Sequence, residues 1–148
     1  MKTYKATKKD LKEYTAMKKS SMEFLFKISG EKISLSNDGI KKEFEKILSQ
    51  KGSNLLILEI GGGVAGYMIY TMQKNTQKSF AYLDDIFIKK DFRKQGYGKK
   101  LVKHFMEIAK EKGIKKMGLG VRVENKNAIK LYRELGFKII GYNFGLKR

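Results

Sequence analysis

From Ser79 to Lys112 the chain has few ways to fold. Ser79–Ile88, S-F-A-Y-L-D-D-I-F-I, is rich in aromatic and β-branched residues and reads as a central strand. Ile88–Lys103 continues I-K-K-D-F-R-K-Q-G-Y-G-K-K-L-V-K, placing Arg93, Gly96 and Gly98 in the spacing R-x-x-G-x-G. Gly98–Lys112 then carries Leu101, Val102, Phe105, Ile108 and Ala109 on one helical stripe. A strand that turns through glycines into an amphipathic helix must lay that helix back on its own sheet. The turn also offers backbone N–H groups at a helix start, where the dipole favours an anion. Glycine lets a phosphate approach the backbone with no Cβ in the way. The turn is therefore read as a pyrophosphate holder. An ordinary basic loop is the alternative, and these six residues alone do not separate the two.

The flanking sequence supplies the remaining elements. Thr3–Ala6 starts an edge strand, and Thr7 with Asp10 caps a weak helix through Leu11, Tyr14, Met17 and Lys18. Phe24–Ile28 is apolar without a readable period. Ser36–Gly39 is a turn and cap before a helix carrying Ile40, Phe44, Ile47 and Leu48. Asn54–Ile60 and Val64–Met72 are strands joined by Gly61-Gly62-Gly63. Gly61, Gly63 and Gly66 match G-x-G-x-x-G, but the following Tyr67-Met68-Ile69-Tyr70-Thr71 favours a strand, so a glycine hairpin replaces the dinucleotide fingerprint. Lys116–Val123 is a strand, Asn125 and Asn127 open a helix over Ala128–Leu135, and Phe137–Gly145 reads as one or two last strands. One domain spans residues 1–148, in the order β-α-α-β-β-β-α-β-α-β. This is an α/β (α+β) chain with a sheet that mixes hairpins and crossovers.

Composition excludes several chemistries. The chain has no cysteine and a single histidine, His104, which removes disulfides, thiolate catalysis and Cys-based zinc sites. No metal site is expected. No apolar run approaches a membrane span and no secretory signal is visible, which fits a cytoplasmic protein with no membrane partner. The formal net charge of +18 points to anionic partners. A nucleic-acid- or ribosome-associated protein is the reading from another class, disfavoured because no helix-turn-helix, RNP or zinc signature appears. A homodimer is left open.

Three segments together resemble the GNAT superfamily of acetyl-CoA-dependent N-acetyltransferases. They are Y-L-D-D-I-F-I with D-F-R-K-Q-G-Y-G-K-K-L, then the helix and strand ending V-R-V-E-N, then N-K-N-A-I-K-L-Y-R-E-L-G-F. The resemblance covers about residues 54 to 138. It implies a three-layer α-β-α fold whose mixed, mostly antiparallel sheet is splayed between the strands at 79–88 and 116–123, with acetyl-CoA as co-substrate in the gap. Backbone groups of Ile86, Phe87 and Ile88 would pair with the pantetheine. Arg93, Lys94, Gln95, Gly96, Tyr97, Gly98 and Lys99 would wrap the pyrophosphate. Asn125, Asn127 and Ala128 would line the other wall. A coenzyme A sensor without catalysis would share all of these.

The chemistry sets two further demands. An acceptor amine with a pKa near 10.4 must lose a proton to attack, and the departing thiolate must gain one. By resemblance Tyr132 is the general acid at sulfur. Asp84 is the candidate base, since Y-L-D-D-I-F is similar to Y-L-E-D-F-F of diamine and polyamine N-acetyltransferases. Aspartate is one methylene shorter, which favours a water relay. Asp85, at the opposite parity, reads as structural or as a substrate-amine contact, and Glu59 as a fallback base on the neighbouring strand. The acceptor expected is a small amine or polyamine, with a protein α-amine or lysine as the alternative.

Overall fold

The computed structural model describes residues 1–32 and 34–146. Strand β1 (Lys2–Lys5) leads through a short 3-10 turn into helix α1 (Leu11–Ser29), and α2 (Asn37–Ser49) follows. The unassigned run Phe24–Ile28 is the last part of α1, which ends at Gly30 in the left-handed conformation (φ 71°). Strands β2 (Ser53–Ile60), β3 (Gly63–Lys74) and β4 (Ser79–Ile88) come next, then α3 (Tyr97–Glu111), β5 (Met117–Leu119) and α4 (Lys126–Glu134). The sheet order is β1-β2-β3-β4-β5, antiparallel throughout except for the parallel β4–β5 pair. The Gly61-Gly62 hairpin, both residues at positive φ, joins β2 to β3 as expected.

Strand alternation divides the core in two. Leu56, Leu58, Met68, Tyr70, Met72, Ala81 and Leu83 face α3 through Leu101, Val102, Phe105 and Ala109, and Tyr132 of α4 joins them. Leu55, Ile57, Tyr67, Ile69 and Phe87 face the other way, against Tyr14, Met17 and Met22 of α1 and Ile40 and Phe44 of α2. The result is the three-layer architecture expected.

One irregularity in β4 organises everything that follows. Consecutive residues Ile69 and Tyr70 of β3 oppose Asp85 and Leu83, so Asp84 has no partner and forms a bulge. The extra residue reverses the strand's sidedness. Ala81 and Leu83 before it, and Ile86 and Ile88 after it, all pack toward α3, while Phe87 turns to α1 and α2. A strand without the bulge would set Ile86 and Ile88 opposite to Leu83. An uninterrupted period of two cannot reveal a slip of one residue.

Three further expectations need correction. β5 is only three residues, not 116–123, and among the described residues nothing after Leu135 is a strand: Ile140, Tyr142, Phe144 and Leu146 are 71–98% exposed. Their period-two pattern suits a strand, but an extended segment gains stability only from a neighbour, and the described structure supplies none. Glu59 does not lie beside β4 either, because β3 intervenes between them and Glu59 pairs with β1 and β3.

Candidate active site

The parallel β4–β5 ladder covers only Ala81–Leu83 against Met117–Leu119. Beyond Leu83 the two strands part, so β4 keeps β3 on one side and an open edge on the other from Asp84 to Ile88. This is the splay implied by the resemblance. Backbone alternation decides which groups line it. Lys89 N–H donates to Ala65 O across β3 and Ala81 N–H donates to Lys116 O on the β5 side. With the bulge between them, Ile86 and Ile88 turn their backbone groups to the open edge, and Phe87 gives its own to β3. Ile88 O is taken by Arg93 Nε at 2.8 Å. The trio expected on this edge thus resolves into Ile86 and the Ile88 amide.

At the end of this edge sits the glycine turn. Lys94 (φ 62°) and Gly96 (φ 84°) adopt left-handed conformations, Lys94 being the one non-glycine residue that does so among those described. These two left-handed residues keep the turn out of regular helix until Tyr97. Among the described residues, none of the six amides from Lys94 to Lys99 finds an intramolecular acceptor, whereas those of Arg93 and Lys100 on either side do. A Cβ built on Gly96 meets nothing within 4 Å, and one on Gly98 only the Leu131 side chain at 3.8 Å. The turn is therefore open to solvent and has six free donors for a diphosphate. Side chains brace it from behind: Gln95 donates to Asp91 O at 3.1 Å, Lys99 lies 3.9 Å from Glu134, and the Lys100 ammonium sits 5.3 Å from the Tyr97 ring centroid. Arg93 points away from the glycine turn, its guanidinium 5.5 and 5.7 Å from the Phe87 and Phe24 rings.

The other wall is α4. Asn125 caps it, accepting from Ala128 N–H at 3.3 Å, and Asn127 is exposed in the first turn. Asn125 therefore acts first as a cap. Tyr132, one turn further along, is buried (8% exposed), yet its hydroxyl bonds to no described residue. No buried polar atom goes unpartnered among the described residues, so that hydroxyl reaches the open space. Burial, with the charge of Asp85 in second place, pushes its pKa up to about 12. It stays protonated at neutral pH and can donate a proton.

The bulge carries the two carboxylates. Asp84 is exposed and accepts from Thr71 Oγ1 at 2.7 Å. Partial desolvation holds its carboxyl above the ordinary range; the Thr71 hydrogen bond opposes this, and Asp85 adds to it. Asp85 lies in a network that sequence reasoning missed. It accepts from the Tyr67 hydroxyl at 2.7 Å and from Lys18 at 3.3 Å, Lys18 also reaches Glu43 at 3.4 Å, and Glu43 accepts from Tyr14 at 2.9 Å. Tyr67 and Tyr14 are fully buried, and burial drives both hydroxyls far above the ordinary tyrosine pKa. Asp85 is thus tied to the buried Tyr67 hydroxyl, and Lys18 is shared between Asp85 and Glu43, so the three ionised groups together stay negative. Of the two aspartates, Asp84 is the one that makes no ion pair among the described residues.

A profile of the acetyltransferase (GNAT) family matches residues 19–137. Thialysine N-epsilon-acetyltransferase of Bos taurus is 40% identical over 77 residues, covering 51% of this chain and 45% of the relative. A putative [ribosomal protein bS18]-alanine N-acetyltransferase of Bacillus subtilis is 30% identical over 96 residues, covering 64% of this chain and 60% of the relative. The chain spans about half the length of the curated relatives it matches. Among solved structures, the aminoglycoside N-acetyltransferase AAC(6')-Iy in complex with CoA superposes with a TM-score of 0.75 at 17% identity, over 99% of this chain and 93% of that one. Splayed sheet, free-amide turn and matched profile agree: the chain belongs to the acetyltransferase (GNAT) family.

Proposed function

We propose that the protein transfers the acetyl group of acetyl-CoA to the primary amine of a small acceptor, by direct attack in a ternary complex. The observation that carries this reading is the β4 edge, unpaired with β5 beyond Leu83, leading to a turn whose six amides find no acceptor among the described residues. The coenzyme supplies the acetyl group as a thioester. Ile86 and Ile88 pair with its pantetheine arm as an added strand would. Lys94 to Lys99 hold its diphosphate, and Lys89, Lys90, Lys94, Lys99, Lys100 and Lys103 set a positive field around it. Asn127 and Ala128 flank it from α4.

Asp84 takes the proton from the acceptor ammonium, directly or through a water, and its raised pKa makes it a stronger base than a surface aspartate. The amine nitrogen then bonds to the acetyl carbon as the carbon–sulfur bond breaks. Tyr132 returns a proton to the departing sulfur. A backbone N–H near Ile86 faces the oxygen that gains charge. A second reading, acetylation of a protein α-amine, is supported by the Bacillus subtilis relative named for a ribosomal alanine.

Release of free coenzyme A with a panel of small amines beside a panel of peptide N-termini tests both readings. Turnover confined to peptides would overturn the small-amine reading, and none with any acceptor would overturn acetyl transfer. Tyr132→Phe should lower kcat about 10²-fold with the acetyl-CoA KM nearly unchanged. Full turnover in that variant would remove the general-acid assignment.

A further inference from the structure

The bulge leaves Asp84 without a partner in the β3–β4 ladder, so its side chain needs a hold of its own. Tyr70 and Met72 pack toward α3, and alternation turns Thr71 between them to the face on which α1 and α2 pack. There the Thr71 hydroxyl donates to Asp84 Oδ2 at 2.7 Å. In the strand register Thr71 opposes Tyr82, two residues before Asp84, so the bond runs diagonally across the bulge. Threonine suits this task, because its branched Cβ restricts χ1 and with it the direction of the O–H.

The bond takes one carboxylate oxygen and leaves the other. Asp84 Oδ1 has no partner among the described residues and stays available to a proton. An aspartate carboxylate turns easily about χ2, a broad torsion, so without Thr71 the free oxygen would be aimed only part of the time. Asp85 shares the face of Thr71 and Asp84 through its bonds to Tyr67 and Lys18, whereas Tyr132 belongs to the α3 layer. The ionisable groups on the Asp84 side include Asp85 and Tyr82 of β4, Tyr67 of β3, Lys18 of α1 and Glu43 of α2. Desolvation raises the Asp84 pKa most, the Thr71 hydrogen bond lowers it, and the charge of Asp85 raises it. Removing the Thr71 hydroxyl leaves every one of these ionisable groups in place and takes away the one lowering cause.

We propose that Thr71 is a positioning residue for acetyl transfer: its hydroxyl holds the Asp84 carboxylate in one orientation toward the acceptor amine. The proposal rests on Asp84 being the base and names the residue that aims it.

The test uses the full chain with the fastest acceptor of the amine and peptide panels. Thr71→Val removes the hydroxyl and keeps the shape. It should lower kcat about 3- to 10-fold, the weight of one hydrogen bond, and leave the acetyl-CoA KM unchanged. It should also move the acidic limb of the kcat/KM profile to higher pH, because the base then ionises less readily. Thr71→Ser keeps a hydroxyl and should return kcat and the limb toward wild type. In an Asp84→Asn background Thr71→Val should cost nothing further. An unmoved limb in Thr71→Val, or the same loss of kcat in the Asp84→Asn background, would overturn the proposal while the base assignment stood. Full turnover in Asp84→Asn alone would overturn that assignment and this proposal with it. No turnover with any acceptor would overturn acetyl transfer itself.

Discussion

Gly66 was the last glycine of a motif rejected from sequence, and the structure gives it another task. It opposes Ile88 across the β3–β4 pair, beside the open edge of the cleft. A Cβ there would lie 2.2 Å from Phe87 O and 3.2 Å from Ile88 Cα. A carbon and a carbonyl oxygen need about 3.3 Å, so Gly66→Ala must drive the strands apart by roughly 1 Å. Both obstacles are backbone, which no rotamer change can relieve. Overpacking of this kind costs about 2–3 kcal/mol, and in a chain of this size lowers Tm by roughly 5–10 °C. The displaced strand is the one that carries Ile86 and Ile88. Losing one backbone hydrogen bond to the coenzyme costs about 1 kcal/mol, or roughly fivefold in acetyl-CoA affinity. Thermal unfolding and calorimetric titration with acetyl-CoA measure the two effects. Gly61→Ala is the control: its Cβ meets nothing within 4 Å, so it should cost only backbone strain and leave affinity alone. A Gly66→Ala protein that melts within 1 °C of the parent and binds acetyl-CoA equally would refute this account of the β3–β4 contact.

Two more outcomes are expected. Gly96→Ala puts a side chain at φ 84° with open space around it, a strain of about 1–2 kcal/mol; the exposed turn relaxes to escape it, so acetyl-CoA affinity should fall about 5- to 30-fold with little loss of Tm, and calorimetry would show otherwise if binding stayed intact. Asp84→Asn should cut turnover 10²- to 10⁴-fold. Because the folded pKa of Asp84 is raised, the folded state holds its proton more tightly, and the wild type loses stability as pH rises from the ordinary carboxylate pKa through the folded value. Asp84→Asn lacks that loss and should melt no lower than wild type at neutral pH. Tm measured against pH for both proteins checks the sign, and an Asp84→Asn protein that is less stable at pH 7 would contradict it.

The sequence made the donor half of the site legible because that half is nearly local. The strand, the glycine turn, the α3 stripe and the Asn125 cap all lie within one stretch, and each is set by a short-range rule: period two, positive φ, period 3.6, a side-chain oxygen on a free amide. The bulge at Asp84 escaped, because one inserted residue shifts every later side chain without changing composition. The strand expected after Phe137 failed for the opposite reason. Its alternation is clear, but pairing depends on a neighbour that no local pattern specifies.

The acceptor half was illegible because its partners are far apart in the chain. Lys18 and Asp85 are separated by 67 positions, and Glu13 and Lys89 by 76. Nothing at Lys18, one lysine among many, marks it as the residue that pairs with Asp85. That contact changes the functional argument. With both aspartates free, the bulge would be a doubly negative site suited to a polycation. With Asp85 tied to Lys18, Asp84 is the aspartate left without a cation among the described residues, while Glu43 shares the same lysine and Glu23 lies along α1. Arg93 joins the two halves. Its position was set by a motif for the coenzyme, but its side chain crosses to Phe24 of α1, where only tertiary packing could place it. The motif fixes where Arg93 sits in the chain, but only the packing of α1 against β4 puts its guanidinium between Phe24 and Phe87, and no local spacing encodes that contact.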